Sequence, residues 1–232
     1  TRSQLRRVLA KYDTVETLYN VSGTTNLKLT EVKDTYVLLD KMIQQEKYRI
    51  QIDRFPYWAE IWASSLALAF WLYNNRKNTP SLREPVLELG CGVGLVGLAL
   101  ADMGWRVNAT DYVDDALAFA SFNAFENNLN DRHKVSYLDW RKPFMKQYSF
   151  VVASDIIYEK SNHRHLFKLL SYILKPGGIF FVSDPKRRSA KTFVKLLCQN
   201  EYSYSMDSTQ QKLGSLTHQI DIHCFKRSLK RV

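Results

Sequence analysis

Glycines recur at every second residue early in Glu88-Leu89-Gly90-Cys91-Gly92-Val93-Gly94-Leu95-Val96-Gly97. Such a turn lets the backbone bend sharply and lets a ligand come closer than a Cβ would allow. If it opens a helix, the free N–H groups there favour an anionic group. Gly92-x-Gly94-x-x-Gly97 matches the dinucleotide fingerprint, and Asp111 stands about 20 residues on, where a ribose-binding acid belongs. By itself the turn stays ambiguous, and a purely structural bend is one of its readings. Cys91, inside it, has no His base nearby in sequence and reads as a small buried residue, not a nucleophile.

Three features favour S-adenosylmethionine over a dinucleotide. Glu88 precedes Gly90 by two residues, and a carboxylate there attracts the ammonium of a methionine moiety but repels a pyrophosphate. Asp139-Trp140 offers adenine a hydrogen-bonding acid and an aromatic face. The third feature is a terminal strand hairpin, which departs from an all-parallel dinucleotide sheet.

The elements that would hold these residues follow from periodicity. From Val86 onward, short apolar runs alternate with helical patterns, the rhythm of βαβ units. Strands are predicted over Val86–Leu89, Arg106–Thr110, Lys134–Leu138, Ser149–Ser154 and Ile179–Val182. Helices are predicted over Leu95–Met103, Asp114–Asn128 and about Ala190–Gln199. Another helix carries Leu166, Phe167, Leu169, Leu170, Ile173 and Leu174 at helical spacing and ends at Lys175-Pro176-Gly177-Gly178. Tyr202–Ser208 and His218–Phe225 are joined too briefly for a parallel crossover, so they form an antiparallel pair. The first residues read differently: a hairpin of Val15–Val21 and Leu27–Val32, then a helix from the N-cap Asp34 to about Glu46. Arg54-Phe55-Pro56-Tyr57 is a rigid approach to an aromatic helix beginning near Trp58, with Phe70 and Trp71 in the core. Residues 1–56 are taken as an extension packed on the main sheet, and residues 57–232 as the ligand-binding domain.

Together these residues resemble the seven-strand class I S-adenosylmethionine-dependent methyltransferases over roughly Val86–Phe225. The resemblance implies a doubly wound α/β Rossmann-like sheet of order 3-2-1-4-5-7-6 with strand 7 antiparallel. It implies Gly90, Cys91, Gly92 and Gly94 around the methionine portion, Asp111 on the ribose hydroxyls with Tyr112 beside it, and Asp139 near adenine. Ser154-Asp155-Ile156-Ile157-Tyr158 ends the fourth strand, and its Asp-x-x-Tyr spacing is similar to the protein-lysine methyltransferases of this type. Tyr57-Trp58-Ala59-Glu60-Ile61-Trp62 and Leu138-Asp139-Trp140 are similar to that family too. On that resemblance Trp62, Trp140 and the Ser154 backbone line the cofactor pocket, while Asp155 and Tyr158 face the acceptor as catalytic residues. The expected reaction moves a methyl group from S-adenosylmethionine to a protein lysine and leaves S-adenosylhomocysteine. RNA or a small molecule as acceptor, an NAD-binding domain and a catalytically silent module stand as alternatives. Ile156 and Ile157 replace the two prolines that nucleic-acid and glutamine amino-methyltransferases carry at this loop, which argues against that group without excluding RNA.

At 232 residues, 45% hydrophobic and 24% charged, the composition is globular and excludes wholesale disorder. The formal net charge of +10 favours anionic partners, an acidic protein or RNA, over a neutral one. Three scattered cysteines give neither a disulfide framework nor a zinc site, which fits a reducing, cytoplasmic setting. Trp58–Tyr73, the most apolar stretch, is interrupted by Glu60, Ser64 and Ser65 and is shorter than a membrane helix of about 20 residues. His163 and His165 lack partners at metal spacing and read as a surface pair at a helix start. Asp184-Pro185-Lys186-Arg187-Arg188 follows the fifth strand on the binding edge, either recruiting an acidic substrate or solvated. Lys226-Arg227-Ser228-Leu229-Lys230-Arg231 reads as a loose basic end.

Overall fold

A computed structural model of the chain describes residues 1–45, 55–80, 84–142 and 146–229. Arg54, Glu46 and Lys230-Arg231, each part of an expectation above, lie outside the described residues. The central sheet has seven strands: β3 (Val86–Leu89), β4 (Val107–Asp111), β5 (His133–Tyr137), β6 (Tyr148–Ser154), β7 (Leu174–Asp184), β8 (Tyr202–Leu213) and β9 (Leu216–Arg227). Their order is β5-β4-β3-β6-β7-β9-β8. Neighbours are parallel except β9, which runs antiparallel to both β7 and β8. This is the order 3-2-1-4-5-7-6 expected from the sequence.

Helices cover both faces. α3 (Ala63–Asn74), α4 (Leu95–Asp102) and α5 (Asp114–Glu126) lie on one, α6 (Lys160–Ile173) and α7 (Arg188–Cys198) on the other. Val86 packs into the first core, and Leu87 and Leu89 into the second. A strand buried on both sides must read as an unbroken apolar run, so Glu88 is the exception that calls for an account. α4 is apolar all round because it is buried all round. α7 instead turns a single stripe of Ala190, Phe193 and Leu197 inward. Among the described residues, no helix is long and apolar enough to cross a membrane.

Several expectations shift. α6 ends at Ile173 and the chain is extended from Leu174, ahead of the Pro-Gly-Gly segment. Leu174 pairs with Tyr148 but Ile179 with Phe150, so that segment forms an irregularity in the ladder instead of a stop between elements. The β8–β9 hairpin runs on to a two-residue turn at Gly214-Ser215. In its outer half the residues Thr209-Gln210-Gln211-Lys212 are polar although one face is half-buried, so no hydrophobic alternation marked it as strand. The aromatic segment is not one helix: Tyr57–Ala59 makes a single 3-10 turn and α3 starts only at Ala63. Phe70 is exposed and Trp71 half-buried, its indole N–H donating to Asp207 Oδ2 at 2.8 Å.

The N-terminal part adds α1 (Arg2–Leu9), unforeseen because only Leu5, Val8 and Leu9 are apolar in a basic octet, then the hairpin β1 (Thr14–Asn20) and β2 (Asn26–Val32) and the helix α2 (Thr35–Gln45). Asp34 caps α2 as expected, its Oδ1 accepting the N–H of Tyr36 and Val37. The extension rests on the helix layer, not on the sheet: α1 packs on α5, and β2 on α5 and α4. Asn123 and Asn127, one turn apart on α5, bond the open edge of β2 as a neighbouring strand would. Asn123 accepts from Thr30 N and donates to Thr30 O, and Asn127 does the same with Lys28.

Candidate active site

Sheet order reverses between β3 and β6, and ligands of open α/β sheets bind at the carboxyl ends of strands beside such a switch. A cavity of about 840 Å³, its mouth included, occupies that place. Its wall brings together Trp62, Glu88, Gly90, Cys91, Gly92, Asp111, Tyr112, Trp140, Ser154, Asp155 and Tyr158. Gly94 is set behind the wall as the N-cap of α4. Asp139 is not on that wall; Arg141 donates to both its oxygens at 2.9 Å and holds its carboxyl down at about 2, while its neighbour Trp140 lies on the wall.

At Gly92 the backbone takes φ +52°, and an added Cβ would lie 3.0 Å from the Trp58 carbonyl oxygen. Only glycine fits. Asp111, at the end of β4, accepts the Gly92 N–H at 3.1 Å and the Val113 N–H at 3.0 Å, which fixes it against the turn. Burial raises its carboxyl against the pull of those donors. Glu88 is buried beneath the turn with Oε2 unpaired. Desolvation pushes it up to about 8, aided by the Asp111 charge and opposed by the Gly97 N–H. Burial likewise raises the Cys91 thiol far above its ordinary value, consistent with packing and not nucleophilic attack.

On the opposite wall Asp155 follows Ser154 at φ +53°, a left-handed conformation that Asp tolerates better than most residues. Its N–H donates to Ser183 O at 2.9 Å, pinning the loop to β7. Burial raises the Asp155 carboxyl, and the Arg187 guanidinium and the Ser64 hydroxyl counter it. Tyr158 meets the tilted ring of Tyr57 at 5.3 Å and has the Arg187 guanidinium over its ring at 5.8 Å, and burial raises its phenol. Trp62 is fixed by its indole N–H on Tyr57 O at 3.0 Å.

Arg187 is the residue that sequence reasoning missed. The loop after β7 had been singled out as basic and on the binding edge, but nothing local announced that Arg187 turns inward to Asp155 and Asp184. Tyr57, Trp58, Glu60 and Ile61 line the cavity as well, within a segment recognised only as a block. His163 is not a surface residue: it is buried, 3.0 Å from Ile157 O through Nε2 and against Phe193. Arg227 is not loose either, since it donates to the carbonyls of Ser171 and Leu174.

A cavity at this switch point, on a sheet of this order, is the binding-edge arrangement of a doubly wound, Rossmann-like α/β fold. The match to the family described as Lysine methyltransferase spans residues 43–200, and the chain belongs to that family. It is 28% identical to EEF1A lysine methyltransferase 3 of Xenopus tropicalis over 138 residues, 58% of this chain and 60% of that protein. It is 30% identical to protein N-lysine methyltransferase METTL21A of Xenopus tropicalis over 134 residues, 56% of this chain and 61% of that protein. The chain thus spans about three fifths of the length of these curated relatives. In fold it is similar to magnesium protoporphyrin IX methyltransferase of Synechocystis PCC 6803, solved with bound S-adenosylmethionine. The TM-score is 0.58 at 18% identity, covering 84% of this chain and 98% of that one.

Proposed function

We propose that the protein transfers the methyl group of S-adenosylmethionine to the side-chain nitrogen of a lysine in a protein substrate. The observation that carries this reading is the convergence of the glycine turn, Asp155 and Tyr158 on one cavity. The residues fit the cofactor: Gly92 lines the cavity at a point where only glycine fits, and Glu88 lines it with a buried carboxyl. Glu88 would meet the ammonium, Gly90, Cys91 and Gly92 the methionine chain, and Asp111 with Tyr112 the ribose hydroxyls. Trp62, Trp140 and the Ser154 backbone would close the walls. When bound, the sulfonium supplies an electrophilic methyl group for in-line displacement.

The chain's own residues then prepare the acceptor. A lysine ammonium has no lone pair, and the rings of Tyr57, Trp62 and Tyr158 give a poorly hydrated throat that favours the neutral amine. Asp155 Oδ2 accepts an N–H of that amine, and the Tyr158 hydroxyl offers a second contact, so the lone pair is aimed instead of tumbling. The catalytic fold is assigned to residues 57–232 with 1–56 as an extension, and a cytoplasmic setting fits the free Cys91, Cys198 and Cys224.

Asp155→Ala and Tyr158→Phe test this. Calorimetry should find S-adenosylmethionine binding retained while label transfer to protein is lost, and full turnover in both variants would refute the assignment. The net charge of +10 suits an acidic protein substrate and supports a second reading with RNA as acceptor. Labelled cofactor given to an RNase-treated and to a deproteinised lysate separates the two.

A further inference from the structure

A second, larger hollow opens beside the cofactor cavity. It measures about 1300 Å³ with its mouth and lies between the β1–β2 hairpin and the tip of the β8–β9 hairpin, with Pro185 and Arg187 at one side. The two hollows share Glu60, Ile61, Trp62 and Asp155, so they meet beside the reacting end of the site. We propose that this groove docks an extended polypeptide segment and that the segment's lysine turns at Trp62 and Asp155 into the cofactor cavity. The proposal rests on the lysine reading above.

Shape and charge commit the groove to that occupant. It runs from the β1–β2 hairpin to the tip of the β8–β9 hairpin, and a lysine side chain alone would leave most of it unfilled. Its rims are apolar: Leu216 is 64% and Val15 38% exposed, surfaces that a peptide's own side chains would cover. Of the cationic side chains on it, Arg187 is paired with Asp155, and Lys33 stands exposed 3.9 Å from Asp13. Glu31 and Glu60 remain where the two hollows join, each close enough to feel the Tyr19 hydroxyl or the other's charge. A lysine arrives as a cation and meets this negative pair first. It reaches the aromatic throat, where the proton must leave, only afterwards. A polyphosphate chain such as RNA would instead set its charges against Glu31 and Glu60.

The test uses the full chain, S-adenosylmethionine with a tritiated methyl group and three acceptors: an array of 15-residue peptides with one central lysine, N-acetyl-lysine amide, and total RNA. The double variant Val15→Arg and Leu216→Arg puts two cations on exposed rims outside the proposed catalytic and cofactor residues. Wild type should methylate a subset of the peptides at least tenfold faster than the amide. The double variant should lose about tenfold on those peptides, keep its rate on the amide within twofold, and bind S-adenosylmethionine unchanged. Equal wild-type rates on peptides and amide, or peptide rates that the two arginines leave untouched, would overturn the groove while the lysine reading stands. Label on RNA alone, or on no amine at all with cofactor binding intact, would overturn both.

Discussion

Asp155 Oδ1 accepts the Nε–H of Arg187 at 3.0 Å, with Nη2 of the same ion pair 2.8 Å away, whereas Oδ2 has only the Ser64 hydroxyl at 3.4 Å. One oxygen is thus fixed by the guanidinium and the other is left for an acceptor amine. Arg187 is held in turn through its own N–H on Asp184 Oδ1 at 2.6 Å. Besides Arg187, the charged and titratable groups acting on Asp155 are Asp184, a buried carboxyl raised to about 6, and the Tyr158 phenol. Removing the guanidinium leaves Asp155 buried beside another acid, so its carboxyl must rise further. Arg187→Gln should lower turnover by about a hundredfold, the scale of a misplaced reacting group. The acidic limb of the kcat profile should move to higher pH, with little change in cofactor affinity, and Arg187→Lys should restore part of both. An unshifted limb in Arg187→Gln would show that the ion pair serves the loop's fold alone.

Glu88 links the cofactor to pH. With its carboxyl raised to about 8, it keeps its proton at neutrality, yet the proposed ammonium contact needs the carboxylate. Binding should therefore release close to one proton at pH 7. Calorimetry in buffers of different ionisation enthalpy should give a heat that changes with the buffer, and Glu88→Gln should abolish that dependence and weaken binding. The same shift acts on folding. A raised acid adds stability that is present below its unfolded value and is lost as pH rises through 8, so Glu88→Gln should melt relatively higher than wild type at pH 9. His133, buried and depressed to about 4, works in the opposite sense: its stability is present above its unfolded value of 6.5 and lost as pH falls toward 4.

Gly97 separates these two buried groups. A Cβ built there would overlap Glu88 Oε2 and lie 2.7 Å from His133 Nε2, and neither atom has a hydrogen-bond partner among the described residues. Gly97→Ala sits in a helix, where alanine would otherwise be favoured, so intrinsic propensity predicts a gain and packing a loss. Packing should win by about 1–3 kcal/mol, the cost of an overfilled core. A scan should then find Tm lowered by about 2–4 °C for each kcal/mol in a chain of this size. A raised Tm would mean that Glu88 or His133 swings aside freely.

What the sequence disclosed follows a physical line. Val86–Leu89, the glycine turn and Asp111 were readable because strand, bend and acid sit within one short stretch whose patterning is dictated by burial on both sides. The Asp-x-x-Tyr loop was readable because it directly follows a strand end. The pairing of Asp139 with Arg141 was not legible, because it turns on a side-chain rotation that spacing cannot fix. Arg187 was hidden for a related reason: its partner lies 32 residues away in another loop. The outer half of β8, polar at Thr209-Gln210-Gln211-Lys212 though half-buried on one face, left no hydrophobic period to read.

Asn123 ties the extension to the cofactor turn, and this makes the last prediction. It is fully buried, and besides its two bonds to Thr30 its Nδ2 donates to Val93 O at 2.9 Å, inside the glycine turn. Removing the amide strands the Thr30 N–H and two carbonyls in the core, at about 1–3 kcal/mol for each group left unpaired. Asn123→Leu should therefore lower Tm sharply and also weaken S-adenosylmethionine binding, because Val93 belongs to the cavity wall. Asn127→Ala serves as the control. Asn127 also bonds β2, through Lys28, but it makes no bond to the turn and is only partly buried. It should lower Tm less and leave cofactor affinity within about twofold, since none of its own bonds reaches the turn. Equal losses of affinity in the two variants would mean that loosening the hairpin, and not the Val93 bond, is what disturbs the turn.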